Sequence, residues 1–376
     1  MPESQKKILH VFRSPIGGLF RHVTDLAREQ AKRGHEVGIF CDSNTFNART
    51  DAIFDSVSQY LSLGVTRVPM QRKPDFRDLA ALRALGKVQS RIQADVLHGH
   101  GSKGGAYVRA LTDAARGRAV RAYTPHGGSF HFNSGNIQQH VYSGIERLLA
   151  RRTEVFLFES EYVAQCFETS VGPPNRPAFV VHNGLHAPEF DPIEYENERY
   201  DLLYIGEMLF AKGVDTLLEA TAFLREKHDR RVSVLAVGSG PDKERLLDLA
   251  KKLGVIDQIS FEAPQPIRQA LARSKIMVMP SRAESLPYVL LEAGAAGHPI
   301  ISTNVGGIPE ILKPVENRLL QAGDSKALAE AIIARLDESK ERQRAEADAI
   351  IRYLQAEFSV DRMTDSVMQG YAAGMM

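Results

Sequence analysis

The chain has 376 residues, 43% of them hydrophobic and 25% charged; single cores seldom grow past about 250–300 residues, so two globular domains are expected, and disordered or fibrous classes are excluded. Lys plus Arg (47) against Asp plus Glu (46) leaves a charge of +1, too weak a global field to recruit nucleic acid, so any basic patch must be local. The two cysteines, Cys41 and Cys166, fit neither a zinc spacing nor a disulfide framework and point to a reducing compartment.

Short β-branched runs alternate with longer stretches of helical period, the pattern of parallel sheets covered by helices. The N-terminus shows no apolar stretch of signal-peptide length. Strands are then expected at Ile8–Phe12, Glu36–Phe40, Asp95–His98, Val120–Tyr123, Glu154–Phe158 and Ala178–Val181, with helices at Phe20–Arg33, Arg77–Ile92 and Ile137–Arg152. Pro188–Arg199, with two prolines and five acidic side chains, reads as a linker. Beyond it the same grammar restarts, with strands at Leu202–Ile205, Arg231–Val237, Gln258–Phe261, Ile276–Met279 and Pro299–Ser302. Helices are expected between them at Gly213–Lys227, Asp242–Leu253 and Pro287–Ala296. The expected class is α/β: two Rossmann-like, doubly wound parallel-sheet domains, residues 1–187 and 200–357, facing a central cleft, with 358–376 long enough to fold back over the first. No run approaches the roughly 18 apolar residues of a membrane span, so the expected location is cytoplasmic, with membrane contact at most peripheral.

In such sheets ligands sit outside the carboxyl ends of the strands, and several motifs fall there. Glu284-Ser-Leu-Pro-Tyr-Val-Leu-Leu-Glu292 places two carboxylates around a helix start. Pro287 suits the first helical position, and free N–H groups there attract phosphate oxygens. At about 1.5 Å per helical residue the carboxylates stand roughly 8–12 Å apart, enough to bracket a diphosphate, one on ribose hydroxyls and the other on a sugar. The plain alternative is two ordinary glutamates. Gly306-Gly307-Ile-Pro309-Glu310 offers paired glycines for close approach to an anion, or merely a tight turn. Gly206 to Lys212-Gly213 ends a strand and delivers one cation to the same face. In the first half, Pro15-Ile-Gly17-Gly18 follows the first strand, and His126 stands in Thr124-Pro-His126-Gly127-Gly128 after the fourth. His98 and His100 edge an acceptor pocket or are buried and hydrogen-bonded; with no third ligand at a suitable spacing they do not suggest zinc.

Gly206…Lys212-Gly213, Val237-Gly238-Ser-Gly240-Pro241, Glu284 to Glu292 and Gly306 to Glu310, in that order, resemble the signatures of the family 4 glycosyltransferases. The first half resembles them too, in Gly17-Gly18, in His126-Gly127-Gly128 and in Glu146 to Arg152 followed by Glu159-Ser160. The resemblance implies the GT-B fold and a retaining hexosyl transfer from a nucleotide-diphosphate sugar, with no cofactor and no metal. It implies that Lys212 binds the donor diphosphate, Glu292 the ribose and Glu284 the sugar hydroxyls. The backbone of Gly206, Ser285 and Leu286 would help hold sugar and phosphate. Gly17 and Gly18 would meet the diphosphate from the other domain, and His126 would sit beside the anomeric carbon or the 6-position. His126, Lys212 and Glu284 are thus the implied catalytic set. Retention in the family is described as front-side displacement, the leaving phosphate taking the acceptor's proton. The stretch from Tyr123 to Ser160 looks like transferases of bacterial envelope polysaccharide clusters, which implies a saccharide or lipid-linked saccharide acceptor. No nucleic-acid partner is implied.

Four departures bear on the donor. Glu207 stands where the family commonly has Arg, and Ser239, Ser285 and Asn304 replace common acidic, glycine and Asp residues. Residues Glu262–Gln265 are expected near the base. The helix Ile145–Arg152 carries Arg147, Arg151 and Arg152 beside Leu148 and Leu149, a candidate contact with the inner membrane or a solvated helix end. Two other functions fit the same architecture: a nucleotide-sugar epimerase, and an inactive nucleotide-sugar-binding partner subunit.

Overall fold

Two sheets, parallel at every pairing, organise the chain, and the computed structural model describes residues 4–45, 48–127, 137–196 and 199–376 of it. In the first sheet β1 (Lys7–Val11), β2 (Glu36–Asp42), β3 (Gly64–Val68), β4 (Val96–His100), β5 (Val120–Thr124), β6 (Val155–Phe158) and β7 (Ala178–Val180) lie in the order β3-β2-β1-β4-β5-β6-β7. In the second, β8 (Tyr200–Ile205), β9 (Val234–Val237), β10 (Ile259–Glu262), β11 (Ser274–Met279) and β12 (Ile300–Ser302) lie in the order β10-β9-β8-β11-β12. Parallel strands need helical crossovers, which cover both faces and explain the nearly unbroken apolar runs of β1, β6 and β9. Strand order reverses between β1 and β4 and again between β8 and β11, and at such reversals the diverging loops leave a crevice for ligand.

Contacts divide the chain into one unit of Met1–Gly184 with Val360–Met376 and a second of Leu185–Ser359. Where the chain enters and leaves the second unit its ends are joined, Leu185 N–H donating to the Phe358 carbonyl at 2.7 Å. The last helix, Val360–Met375, belongs to the first unit: it buries Met363, Val367, Met368 and Tyr371 against Ile8, Val96, Val120 and Val155. The segment read as a linker is anchored at its start, Arg268 donating to the carbonyls of Asp191 and Pro192 at 2.9 Å each; its residues 197–198 lie outside the described ones.

Among the elements that escape sequence reading are the helix Ala48–Val57, edge strand β3 and the helix Gly101–Ala110. The last looks like a loop because of its glycines, yet they are what lets it pack. A Cβ on Gly104 would lie 2.1 Å from the Val11 carbonyl oxygen. The helix also carries Arg109, fully buried, which holds Glu146 of the helix Ile137–Ala150 through contacts of 2.8 and 3.1 Å and lies 3.7 Å over the Tyr123 ring. Pro287 is one place earlier than expected: it is the extended residue before the helix Tyr288–Ala295, not its first turn.

Candidate functional site

The loops after β8 and β11, flanking the reversal of the second sheet, hold the charged pair of this unit. Gly213, in a left-handed conformation (φ 66°), ends the short turn Phe210–Lys212 and starts the helix Val214–His228. A side chain there would strike the Pro280 carbonyl, so only glycine lets the two loops approach this closely. Lys212 Nζ then lies 2.8 Å from each Glu284 oxygen, and Ser281 donates to Glu284 Oε1 at 2.7 Å. Glu284 is buried while Lys212 is 27% exposed, which leaves the ammonium with a third proton for a ligand. Arg282 braces the loop beneath, paired with Asp215 at 2.7 and 3.2 Å and donating to the Phe210 carbonyl at 2.8 Å. Neither Ser281 nor Arg282 stood out in the sequence, although both lie beside Glu284.

The remaining residues of this unit lie on or near the carboxyl ends of its strands. Ser285 is half-buried and its carbonyl accepts from Gly307 N–H at 2.8 Å. Leu286 sends its side chain into the core, and Glu292 is half-buried on the helix Tyr288–Ala295. Gly206 is half-buried at the end of β8, and Glu207 beside it is exposed. At Gly306 (φ 59°) a Cβ would lie 1.8 Å from the Glu284 carbonyl oxygen, so its bareness lets this turn pack against the Glu284 loop. Glu262 is likewise engaged, in a two-point pair with Arg273 at 2.7 Å each that holds its carboxyl below the usual range, with Gln265 donating to it at 2.9 Å.

In the first unit Gly17 and Gly18 are exposed at the start of the helix Gly17–Lys32, whose first turn has no acidic residue and whose flanking Ile16 offers no side-chain cap. Such an end leaves N–H groups for an anion. His126 is half-buried after β5 with φ 51°, a conformation costly for a side chain larger than glycine, and Glu159 fixes it by accepting from its N–H at 3.1 Å. Gly128 and the following residues to 136, part of the stretch from Tyr123 to Ser160, lie outside the described residues.

The reading of His98 and His100 as lacking a third partner is also corrected. His10, His98 and His100 approach one another closely enough to share an ion, as do His22, His100 and His126. Spacing hides this because β1, β4, the first helix and the β5 loop each supply a ring. His10, His98 and His100 are buried in hydrogen bonds: His100 bridges His10 at 3.0 Å and His126 at 3.1 Å, and His98 bridges Tyr371 at 2.7 Å and Thr124 at 2.8 Å. His22 meets Asn183 at 2.9 Å. Burial lowers His10 and His22 to about 4 against their hydrogen bonds to Gln30 and Asn183. Burial, then the neighbouring imidazoles, pushes His98, His100 and His126 well below the usual range, so the cluster is neutral at pH 7.

The helix proposed for membrane contact ends at Ala150. Two of the arginines expected on it are engaged with protein: Arg147 donates to the Val171 and Ser170 carbonyls at 3.0 and 3.1 Å, and Arg152, beyond the helix end, to that of Leu111. Val141, Ile145 and Leu148 are exposed and form one helical row, while Leu149 is half-buried. Among the described residues no helix is long and apolar enough to cross a membrane.

The sequence model for group 1 glycosyl transferases matches residues 188–352, and that for glycosyltransferase family 4 matches residues 16–187. The chain is 26% identical over 341 residues to N-acetyl-alpha-D-glucosaminyl L-malate synthase of Bacillus anthracis, covering 86% of each chain. It is 28% identical over 389 residues to the glycogen synthase of Mycobacterium tuberculosis, covering 95% of this chain and 91% of that one. Among solved structures it is similar to Anabaena Alr3699/HepE in complex with UDP-glucose, with a TM-score of 0.79 at 17% identity over 98% of this chain and 100% of that chain, a likeness of fold. The two family matches together span residues 16–352, and the chain belongs to the family 4 glycosyltransferases with the GT-B fold.

Proposed function

We propose that this glycosyltransferase is retaining and metal-independent, and moves a hexosyl group from a nucleotide-diphosphate sugar to a saccharide or lipid-linked saccharide in polysaccharide or glycolipid synthesis. The observation that carries the donor reading is the Lys212 ammonium, 2.8 Å from both oxygens of Glu284 at the strand-order reversal of the second sheet. Charge grows on the diphosphate as the glycosidic bond breaks, and a fixed, half-buried cation stabilises that charge more than the ground state. In this reading Lys212 meets the diphosphate, Glu284 the sugar hydroxyls and Glu292 the ribose, with backbone help from Gly206, Ser285 and Leu286. The first unit offers the Gly17 and Gly18 amides to phosphate and His126 to a sugar hydroxyl. The leaving phosphate takes the acceptor's proton, so no protein nucleophile is needed.

The relatives fit this class of donor: HepE was solved with UDP-glucose bound. Screening UDP-, GDP- and ADP-sugars for thermal stabilisation identifies the nucleotide, because a ligand of the native state raises its melting temperature with affinity. Turnover assayed with EDTA, and the anomeric configuration of the product, then test the mechanism; an inverted product or chelator-abolished turnover would end this reading. The exposed row Val141, Ile145 and Leu148 supports peripheral attachment at the cytoplasmic face of a membrane. Sedimentation with anionic liposomes at low salt tests it, and protein left in the supernatant refutes it.

A further inference from the structure

A neutral imidazole bonded through both nitrogens donates at one and accepts at the other, so in a chain of them one fixed end sets the direction of all. Such a chain links Gln30 to His10 at 2.8 Å, His10 to His100 at 3.0 Å and His100 to His126 at 3.1 Å. A branch runs from Gln30 to Tyr371 at 3.4 Å, on to His98 at 2.7 Å and to Thr124 at 2.8 Å. Two directions satisfy every member. In the first, the Gln30 carbonyl oxygen accepts from His10 Nε2–H, His10 Nδ1 accepts from His100 Nε2–H, and His100 Nδ1 accepts from His126 Nε2–H. Along the branch the Gln30 amide donates to Tyr371, Tyr371 donates to His98, and His98 donates to Thr124. In the second, the Gln30 amide is turned over and every donor becomes an acceptor.

Met368 breaks the symmetry. Its Sδ lies 3.9 Å from the amide nitrogen of Gln30. A thioether accepts weakly and never donates, so it favours the NH2 group at that place and disfavours the carbonyl oxygen. Met368 and Tyr371 both come from the last helix, Val360–Met375, and lie in the core beneath the sheet.

We infer that Gln30 and Met368 are positioning residues that hold His126 as its Nε2–H tautomer, so that the nitrogen it turns to a ligand, Nδ1, is a lone pair. Resting on the reading that His126 meets the donor sugar, this makes it an acceptor-only contact. It takes a hydroxyl and rejects a carboxylate, and so selects neutral hexosyl donors over uronic acid donors.

The test is a long-range proton–nitrogen correlation spectrum of histidine-labelled protein at pH 7.5, with the His126 peaks identified by their loss in His126→Gln. The expected wild-type pattern is a protonated Nε2 and an unprotonated Nδ1. Met368→Leu keeps the volume and removes the acceptor, and a second His126 set with protonated Nδ1 is expected. Gln30→Leu is expected to abolish the single pattern. Wild-type His126 protonated at Nδ1 overturns the inference, as does an unchanged His126 pattern in both variants. UDP-glucose, GDP-mannose and ADP-glucose are then added in turn to the wild type. If none moves the His126 peaks, the donor reading of His126 fails while the tautomer assignment stands.

Discussion

Replacing Lys212 by alanine should affect stability and turnover separately, and the structure sets a scale for each. At 2.8 Å from each Glu284 oxygen, the attraction at an effective dielectric near 20 is about 6 kcal/mol before desolvation. Breaking a fully buried pair costs about 3–5 kcal/mol, but Lys212 is 27% exposed, so a loss of about 1–3 kcal/mol is expected. For a unit of this size that lowers the melting temperature by about 2–4 °C per kcal/mol. Lost stabilisation of the leaving diphosphate should raise the barrier by about 2–4 kcal/mol, a slowing of roughly 30- to 1,000-fold. The two effects part in Lys212→Ala/Glu284→Gln, which removes the orphaned carboxylate: melting should partly recover while kcat stays low. Differential scanning calorimetry and initial-rate assays well below the melting temperature read both. Turnover of Lys212→Ala within twofold of wild type would refute the electrostatic role, and restored activity in the double variant would show that the lysine acts only by supporting the fold.

Gly306→Ala should cost more than the roughly 1 kcal/mol of an ordinary glycine replacement, because its Cβ would strike the Glu284 carbonyl at 1.8 Å; weaker stabilisation by the bound nucleotide-sugar is the readout, and unaltered stabilisation would show that the loop yields freely. Glu146→Ala leaves Arg109 buried with no carboxylate and should cost about 3–5 kcal/mol in urea unfolding, with a loss under 1 kcal/mol counting against the pair. The neutral imidazoles predict acid sensitivity of the first unit. Their folded-state values lie below the unfolded 6.5, about 4 for His10 and His22, so the unfolded chain binds more protons between these limits. Stability is therefore full above about pH 6.5 and falls as the pH drops towards 4, by up to about 3 kcal/mol for each of these two. In the second unit burial lowers His298 to about 3, so calorimetry across this range should show the first unit's transition falling more steeply; parallel decline of both would contradict the assignment.

Local pattern carried the parts of the fold that are locally encoded. β1, β2, β5, β6 and β8 are apolar runs bounded by polar turns, and their expected limits fall within two residues of the observed ones. Gly101–Ala110 was illegible because its glycines answer to a neighbouring strand, the carbonyl of Val11, which no window along the sequence contains. β3 is a half-exposed edge strand without a strong apolar run. At the candidate site, the convergence of Lys212 with Glu284 followed from both lying just past central strands. The network behind His126 did not, because Gln30 and Tyr371 are 341 positions apart and meet only through the sheet.

The helix Val360–Met375 completes the core of the first unit although it follows the whole of the second unit along the chain. During translation the first sheet therefore emerges early but must wait, its Ile8, Val96 and Val155 uncovered, until Val360–Met375 has also emerged. The second unit, continuous from Leu185 to Ser359, has all its residues sooner. Nascent chains stalled just short of Val360 should thus be cut readily by protease within residues 4–184 and resist it within the later segment, and equal resistance of the two would show that the sheet is secure before its final helix arrives.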